Sequence, residues 1–258
     1  MLERLERAWR VLATGLCFAC FGFGGALLGV AGFPLLRLVV RDPRRRERIA
    51  RSVIHHAFQW LVGLMCLTGI LSYEISGRQR LRAGGQLILA NHPTLIDVVL
   101  LMSFIERGDC IVKHALGRNP FTRGSVRAAG FVLNDTAEGL VEDCIRSMRT
   151  GNNLIIFPEG TRSTHALPLR LQRGAARVAL HGEIDITPVR IRCTPPTLAK
   201  GAKWYQVPSR KAHFDIEIGE PIPVARFLLE TPSHALAARR LTEHLTDYFS
   251  RDHELASA

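Results

Sequence analysis

The chain has 258 residues, enough for one substantial domain with a buried core, and 47% of them are hydrophobic against 22% charged. This composition excludes a disordered chain, a collagen-like repeat and a small disulfide scaffold. A mean hydropathy of only +0.09 excludes a membrane protein with many spans. The net charge of +11 indicates a polyanionic partner: nucleic acid, an anionic membrane surface or a phosphorylated substrate.

The hydrophobic residues are concentrated near the N-terminus, in two runs without a charged residue. Val11–Leu36 has 26 residues and Ser52–Tyr73 has 22, and about 20 apolar residues span a bilayer as a helix. Arg41–Arg51 lies between them with six arginines and two acids. We therefore predict that residues 1–73 form a membrane-associated helical hairpin whose arginine-rich loop faces lipid headgroups. The first run is too long for the apolar core of a cleaved signal peptide, about 7–15 residues.

The position of this arginine-rich loop leaves two membrane arrangements open. Loops rich in arginine remain on the cytoplasmic side, so two full crossings would separate the loop from a cytoplasmic C-terminal domain. Either the hairpin lies within one leaflet or only the first run crosses the bilayer. A third interpretation is that both runs are buried core helices of a soluble protein.

The six cysteines do not form a disulfide or metal-binding pattern. Cys17 and Cys20 make a C-x-x-C pair, but no second pair or histidine pair completes a zinc site. We expect Cys17, Cys20, Cys66 and Cys110 to pack as small hydrophobic residues, and we predict no metal site.

From Glu74 onward, short apolar runs alternate with amphipathic stretches, which predicts an α/β domain over residues 74–258. The alternation favours a mixed, largely parallel sheet flanked by helices. Helices are predicted over Thr136–Thr150, where Gly151 ends the apolar periodicity, and over Ser233–Phe249. The predicted strands are Gln86–Ala90, Cys110–Lys113, Phe131–Leu133, Asn153–Phe157, Ile186–Ile191 and Phe214–Ile218.

The segment Asn91–Asp97 directly follows the strand predicted at Gln86–Ala90. Its histidine, His92, stands at the carboxyl end of a strand, where α/β proteins bind ligands. Asp97, expected about one and a half turns into the next helix, can accept a hydrogen bond from the imidazole and fix its tautomer. The second ring nitrogen is then free to take a proton from a hydroxyl group. A purely structural His–Asp pair is the alternative, because this spacing is common.

A second polar cluster, Phe157–Ser163, follows the strand predicted at Asn153–Phe157. Its Pro–Glu–Gly turn brings together Glu159, backbone N–H groups, the Thr161 hydroxyl and the Arg162 guanidinium, which suit a phosphate or a carboxylate. An ordinary turn with a solvated Glu–Arg pair would have the same sequence.

The two clusters, N-H-x4-D followed by F-P-E-G-T-R-S, resemble the signature of the glycerolipid acyltransferase family, which includes the lysophospholipid (1-acyl-glycerol-3-phosphate) acyltransferases. The resemblance covers residues 75–225. It includes the basic, glycine-containing stretch Leu171–Arg177, the strand motif Thr187–Val189 and the closing segment Gly219–Ile222.

This resemblance implies transfer of an acyl chain from a thioester, acyl-CoA or acyl carrier protein, to the hydroxyl group of a lysolipid acceptor. His92 would be the general base and Asp97 would orient it, with no acyl-enzyme and no metal or other cofactor. The acceptor would be bound by Glu159, Gly160, Thr161 and Arg162. Lys113, a basic residue between the two motifs, is also predicted to bind substrate, at a phosphate of the acceptor or of the acyl donor.

One position departs from the family pattern. In the block Gly130–Asp135, Asp135 stands where relatives acting on lysophosphatidate usually carry a basic residue, and a carboxylate there repels a phosphate. A non-phosphate acceptor, such as an amino-acid-containing lipid or a specialised metabolite, is therefore an alternative. The acid-free segment Ile111–Asn134, which has four basic residues including Lys113, could instead receive the phosphate; otherwise it is a solvated charged face.

Two other functional classes were weighed against an enzyme. A nucleic-acid-binding protein would also be basic, but the chain has only 12 Phe, 3 Trp and 3 Tyr and no recognised binding motif, so no nucleic acid partner is predicted. An inactive membrane scaffold of the same fold is disfavoured by the intact His92, Asp97 and Glu159. We predict an enzyme of a bacterial-type inner membrane, with the lipid bilayer as partner and the catalytic domain on the cytoplasmic face.

Overall fold

The computed structural model describes residues 2–81, 84–134, 139–163, 169–231 and 233–255. Within these residues a seven-stranded sheet separates two layers of helices. The strands are β1 (Leu71–Ser76), β2 (Leu87–Ala90), β3 (Gly108–Lys113), β4 (Val132–Asn134), β5 (Asn153–Ile156), β6 (Ile186–Thr194) and β7 (Ala212–Ile218). The helices are α1 (Leu2–Leu27), α2 (Phe33–Val39), α3 (Pro43–Leu67), α4 (Asp97–Phe104), α5 (His114–Arg118), α6 (Arg123–Ala129), α7 (Leu140–Arg149), α8 (Arg173–Gly182), α9 (Ala225–Leu229) and α10 (His234–Leu255).

The sheet is mixed and largely parallel, which confirms the predicted fold class. Its strand order is β1-β7-β6-β2-β5-β3-β4, and β6 and β7 pair in antiparallel orientation. The five strands β6, β2, β5, β3 and β4 run in one direction. Because parallel strands end at a common edge, the loops that follow β2, β3 and β5 lie on one side of the sheet.

Alternate side chains of the central strands enter two separate cores. On β2, Leu87 and Leu89 face the layer of α7, α8 and α10, whereas Ile88 and Ala90 face the layer that contains α3 and α4. All four side chains are fully buried. Burial on both faces explains why these strands are continuous apolar runs in the sequence.

The other predicted elements correspond to observed ones, with one strand added. Each of the six predicted strands is present, whereas β1 was not predicted. α7 begins at Leu140, and residues 136–138 of its predicted range lie outside the described residues. The predicted domain boundary after residue 73 falls within β1, and the division into two domains stays a prediction. Cys17 and Cys110 are buried, as expected, while Cys20 and Cys66 are partly exposed.

The N-terminal apolar runs form a helical hairpin, but the second run, Ser52–Tyr73, is not helical over its whole length. α3 ends at Leu67, and the chain passes through Gly69, at a positive φ of 74°, into β1. The run Ser52–Tyr73 therefore supplies part of a docked helix and the beginning of a strand. Among the described residues, Arg4–Val39 is the one helix that is long and apolar enough to cross a membrane, judged by length and composition.

The arginine-rich segment is largely helical, so the prediction of a loop there is also wrong. Asp42 accepts hydrogen bonds from the N–H groups of Arg44 and Arg45 and caps α3. Pro43 occupies the first helical position, where its missing N–H removes no intrahelical bond. Together Asp42 and Pro43 start the helix within the arginine cluster.

Arg51 attaches α3 to the sheet through a buried polar network. Its guanidinium donates to the Asp109 carboxylate at 3.2 Å and to the carbonyl oxygens of Gly108 and Gly130 at 3.2 and 3.1 Å. Asp109 also accepts a hydrogen bond from the Ser147 hydroxyl of α7. The network therefore joins helices from both layers to the amino end of β3.

The apolar helices α1 and α2 are continuous through a π-helical segment, Leu28–Gly32, that packs against α6. Gly29 and Gly124 meet there backbone to backbone, because a Cβ on Gly124 would lie 2.3 Å from the Gly29 Cα atom. Any larger residue at this contact must separate the two helices.

Gly124→Ala is expected to lower the free energy of unfolding by about 1–3 kcal/mol, because the added methyl group overlaps the Gly29 backbone. Gly24→Ala is the matched control, since a Cβ there meets nothing within 4 Å and alanine favours a helix. Thermal unfolding of both variants in one detergent makes the comparison. Equal unfolding temperatures would contradict the close contact.

Candidate active site

The two polar motifs meet because β2 and β5 are adjacent and parallel. His92 follows β2 and Glu159 follows β5, so both lie at the carboxyl edge of the sheet. Asn91 extends the pairing of β2 with β6 through its side chain, since Nδ2 donates to the Ile191 carbonyl at 2.8 Å and Oδ1 accepts the Ile191 N–H at 2.7 Å. The backbone immediately before His92 is therefore fixed to the sheet.

His92 and Asp97 form a hydrogen-bonded pair, with 2.8 Å between Nδ1 and Oδ2. The His92 side chain is 19% exposed and the Asp97 side chain is 0% exposed. An ionised carboxylate only accepts hydrogen bonds, so Nδ1 carries the proton and Nε2 of a neutral imidazole keeps its lone pair. The pair therefore offers one basic nitrogen on a partly exposed ring of fixed orientation.

Asp97 is the first residue of α4, so the expected position one and a half turns into the helix is wrong. The helix begins late because the preceding residues bond to Asp97: Thr94 donates its N–H at 2.7 Å and also its hydroxyl to the carboxylate. Three donors therefore compensate the loss of water around this buried carboxylate. Burial raises the pKa of Asp97, while the hydrogen bonds from His92 and Thr94 act in the opposite direction.

Asp97→Asn is expected to change how stability depends on pH. The pKa of the Asp97 carboxyl group is higher in the folded protein than in the unfolded chain. Protonation of this group therefore favours the folded state. The resulting stability is fully present below the unfolded-state pKa and is lost as the pH rises through the folded-state pKa. The free energy of unfolding of the wild type should therefore fall relative to that of the variant over this rise in pH. Urea unfolding at a series of pH values measures the difference, and a constant difference would contradict the prediction.

Glu159 joins the second motif to the first. Its Oε1 accepts the His92 N–H at 3.0 Å and the Ser163 hydroxyl at 2.8 Å, and the Ser163 N–H donates to the His92 carbonyl at 2.8 Å. The Phe157 ring stacks on the imidazole, with ring centroids 4.2 Å apart and an interplanar angle of 24°. These contacts fix the His92 backbone on both sides and the plane of its ring.

The remaining residues of the second motif lie at the same edge with different contacts. Gly160, at a positive φ of 67°, makes the turn, and both Gly160 and Thr161 are exposed. Arg162 does not extend freely into solvent, because its Nη1 donates to the carbonyl oxygens of Leu198 and Ala199, each at 3.0 Å. This arginine therefore connects the site to the loop that follows β6.

Lys113 is exposed at the carboxyl end of β3, beside β5. Within the part of the chain that the structure describes, no hydrogen bond or ion pair joins Lys113 to His92. Asp135, the departure from the family pattern, lies outside the described residues.

Four further residues shape this site, and no role was predicted for them: Asn91, Thr94, Phe157 and Ser163. Each lies inside one of the two motifs. Of these four residues, Thr94 alone could have been identified from the sequence. A threonine three residues before an acidic residue, at the start of a helix, has the spacing of a capping interaction. The ring stacking and the bonds to β6 and Glu159 depend on neighbours that are distant in the sequence.

Among the residues that the structure describes, one group of side chains could hold a metal ion, and it lies away from His92. Glu74, His213 and Asp215 have potential ligand atoms within 4.8 Å of one another. They belong to β1 and β7, which β6 separates from β2, so this group is not part of the His92 site.

The geometry at the sheet edge suits proton abstraction from a hydroxyl group. A partly exposed histidine with one nitrogen bonded to a buried carboxylate, a second nitrogen outside that bond and a fixed backbone has the features of a general base. A carboxylate hydrogen-bonded to the other ring nitrogen suits the task of orienting the ring and balancing the charge of a protonated histidine.

Comparisons with known proteins give consistent similarities. A protein-family model described as Acyltransferase matches residues 72–192. A 1-acyl-sn-glycerol-3-phosphate acyltransferase of Helicobacter pylori is 30% identical over 113 residues, which are 41% of this chain and 48% of that protein. The enzyme of the same name from Saccharomyces cerevisiae is 23% identical over 72% of this chain and 60% of its own length.

A solved structure has the same fold. The crystal structure of the 1-acyl-sn-glycerophosphate (LPA) acyltransferase PlsC from Thermotoga maritima aligns over 99% of this chain and 98% of its own, with a TM-score of 0.70 and 20% identity. By contrast, the matched part of this chain spans about half the length of the curated relative from Helicobacter pylori, 48%.

Proposed function

We propose that the protein transfers an acyl chain from a thioester to the hydroxyl group of a lysophospholipid, since a family model described as Acyltransferase matches residues 72–192. The observation that carries the proposal is the His92–Asp97 pair, 2.8 Å from Nδ1 to Oδ2, held by Glu159 at the edge of the sheet. The names of the relatives support a 1-acylglycerol-3-phosphate acceptor.

In this mechanism Nε2 of His92 removes the proton from the acceptor hydroxyl while its oxygen attacks the thioester carbonyl. The new C–O bond replaces the C–S bond, and the imidazolium returns the proton to the departing thiolate. Asp97 stabilises the imidazolium. Acyl-CoA or acyl carrier protein would be the donor, and the reaction needs no acyl-enzyme.

The second motif would hold the acceptor next to this base. Gly160 and Thr161 are exposed beside the imidazole, and Arg162 has a guanidinium nitrogen beyond the one bonded to Leu198 and Ala199. Lys113, at the neighbouring strand end, would add a positive charge toward a phosphate of the acceptor or the donor.

We also propose that α1 and α2 lie in the membrane interface, on the cytoplasmic face of a bacterial-type inner membrane. One face of these helices packs on the protein, while their large apolar residues on the other face are exposed at helical spacing. We call this surface the apolar stripe; it consists of Leu5, Trp9, Leu12, Leu16, Phe23, Leu27, Val30, Leu35 and Leu38. A helix docked along its length favours the hairpin arrangement over a crossing.

The test is an assay of purified protein in detergent with lysophosphatidate and either acyl-CoA or acyl carrier protein, with mass spectrometry of the lipid product. Formation of phosphatidate with release of one thiol per acyl chain is the expected result. Turnover of a lyso-ornithine-type lipid without turnover of lysophosphatidate would favour the non-phosphate acceptor that Asp135 suggests. No acyl transfer to either acceptor would refute the proposal.

A further inference from the structure

The loop between β6 and β7, residues 195–211, has a pattern that the proposed reaction does not use. It contains four basic residues and no acidic residue, and its outer part includes Trp204 and Tyr205. These side chains are 48% and 46% exposed. Exposed tryptophan and tyrosine beside lysine are typical of segments that meet the interface between a membrane and water.

This loop packs against the charged beginning of α1. The Trp204 ring covers Gly15, where a Cβ would lie 3.3 Å from the ring, and the Arg10 guanidinium donates to the Ser209 carbonyl. The charged residues of α1 end at Arg10 and its apolar run begins at Val11. Trp204 therefore lies beside the point at which the helix changes from polar to apolar.

The inner end of the same loop is attached to the candidate active site. The Leu198 carbonyl accepts hydrogen bonds from Arg162 at 3.0 Å and from the Leu95 N–H at 3.1 Å. Leu198 and Val207 are buried, which fixes the base of the loop, whereas residues 200–206 between them are exposed. The loop thus extends from the site to the surface beside α1.

We propose that residues 199–206 are a second membrane contact, which we call the aromatic loop. In this arrangement Trp204 and Tyr205 lie in the bilayer interface, and Lys200 and Lys203 contact anionic headgroups. Trp204 of the aromatic loop packs on α1, the helix that carries most of the apolar stripe, and the charge of the loop is complementary to an anionic bilayer. The inference rests on the proposed membrane association. It adds a second region of the protein that contacts the membrane, next to the candidate active site.

Quenching of tryptophan fluorescence by brominated lipids tests the contact directly. The reporter protein keeps Trp204 and carries Trp9→Phe and Trp60→Phe; the vesicles contain phosphatidylglycerol and a phosphatidylcholine brominated near the headgroup end of its chains. Trp204 emission is expected to fall by at least about half, because interfacial tryptophan lies at the depth of the bromine. Unchanged Trp204 emission from protein that floats with the vesicles would overturn the proposal.

A matched reporter controls for nonspecific quenching. Leu229 of α9 is 87% exposed and belongs to the layer on the other side of the sheet. Leu229→Trp, in a chain whose three native tryptophans are changed to phenylalanine, should keep its emission on the same vesicles. Equal quenching of Leu229→Trp and Trp204 would also overturn the proposal.

Charge reversal provides a second readout. Lys200→Glu with Lys203→Glu is expected to weaken binding to phosphatidylglycerol-containing vesicles by at least about tenfold, because each basic residue near an anionic surface contributes to attraction. Arg149→Glu with Arg177→Glu makes the same change in net charge on exposed residues of α7 and α8, and it should change binding by less than about twofold. Equal losses for both pairs would indicate a net-charge effect and contradict the loop contact.

These measurements separate the loop contact from the proposed reaction, because neither quenching nor flotation needs a substrate. Quenching of Trp204 in a protein without acyltransferase activity would uphold the contact and refute the reaction. Activity in detergent together with unquenched Trp204 would uphold the reaction and refute the contact.

Discussion

His92→Ala is expected to lower kcat for acyl transfer by about 10²–10⁴-fold, because it removes the only nitrogen of the His92–Asp97 pair that can take the acceptor proton. KM for the acyl donor should change far less than kcat, since the imidazole acts mainly in the transition state. Initial rates with lysophosphatidate and acyl-CoA in detergent give both constants.

The matched control for this prediction is His56→Ala. His56 is an exposed histidine of α3 whose Nδ1 contacts the Ser52 carbonyl at 2.7 Å, and it lies outside the site. We expect activity within about twofold of wild type for this variant, as for most surface substitutions. A His92→Ala protein that remains folded and keeps more than about a tenth of the wild-type kcat would exclude His92 as the general base.

Arg51→Ala is expected to lower the free energy of unfolding by about 3–5 kcal/mol, because it leaves the Asp109 carboxylate buried without its cation. Asp109 is 0% exposed and Arg51 is 5% exposed, so water cannot replace the lost partner. Denaturant unfolding in a fixed detergent measures the change.

Arg48→Ala is the control, since Arg48 is an exposed arginine one turn earlier in the same helix and should alter stability by about 0.5 kcal/mol or less. Arg51→Met combined with Asp109→Leu should recover much of the loss, because it removes both buried charges. A small effect of Arg51→Ala, similar to that of Arg48→Ala, would show that the ion pair contributes little.

The sheet and the contact between the two motifs could be predicted from local sequence patterns. Each strand buried on both faces, such as Leu87–Ala90 and Asn153–Ile156, is an apolar run that ends at a polar motif. Once β2 and β5 are taken as parallel neighbours, His92 and Glu159 must lie at one edge. The direct bond between the His92 N–H and Glu159 follows from that adjacency.

The N-terminal helices were harder to predict, because composition does not indicate which face of a helix packs against the rest of the protein. The run Ser52–Tyr73 is long enough for a membrane span, but its histidines and glutamine recur with Arg48 and Ser52 at helical spacing. That spacing is typical of a helix with one polar face. Gly69 offers the second signal, since a left-handed turn at this glycine ends the helix before β1.

Other features depend on partners that no local pattern indicates. Arg51 is one of six arginines in its segment, and only the position of Asp109 on β3 distinguishes it from the exposed ones. In the same way, no local pattern indicates that Nη1 of Arg162 contacts the carbonyl groups of Leu198 and Ala199. Long-range contacts of this kind require the folded structure.

The contact between Gly29 and Gly124 also restricts the path of a lipid. The two backbones touch, so no acyl chain fits between the π-helical segment and α6. A lipid that moves from the apolar stripe to the carboxyl edge of the sheet must therefore pass around this contact.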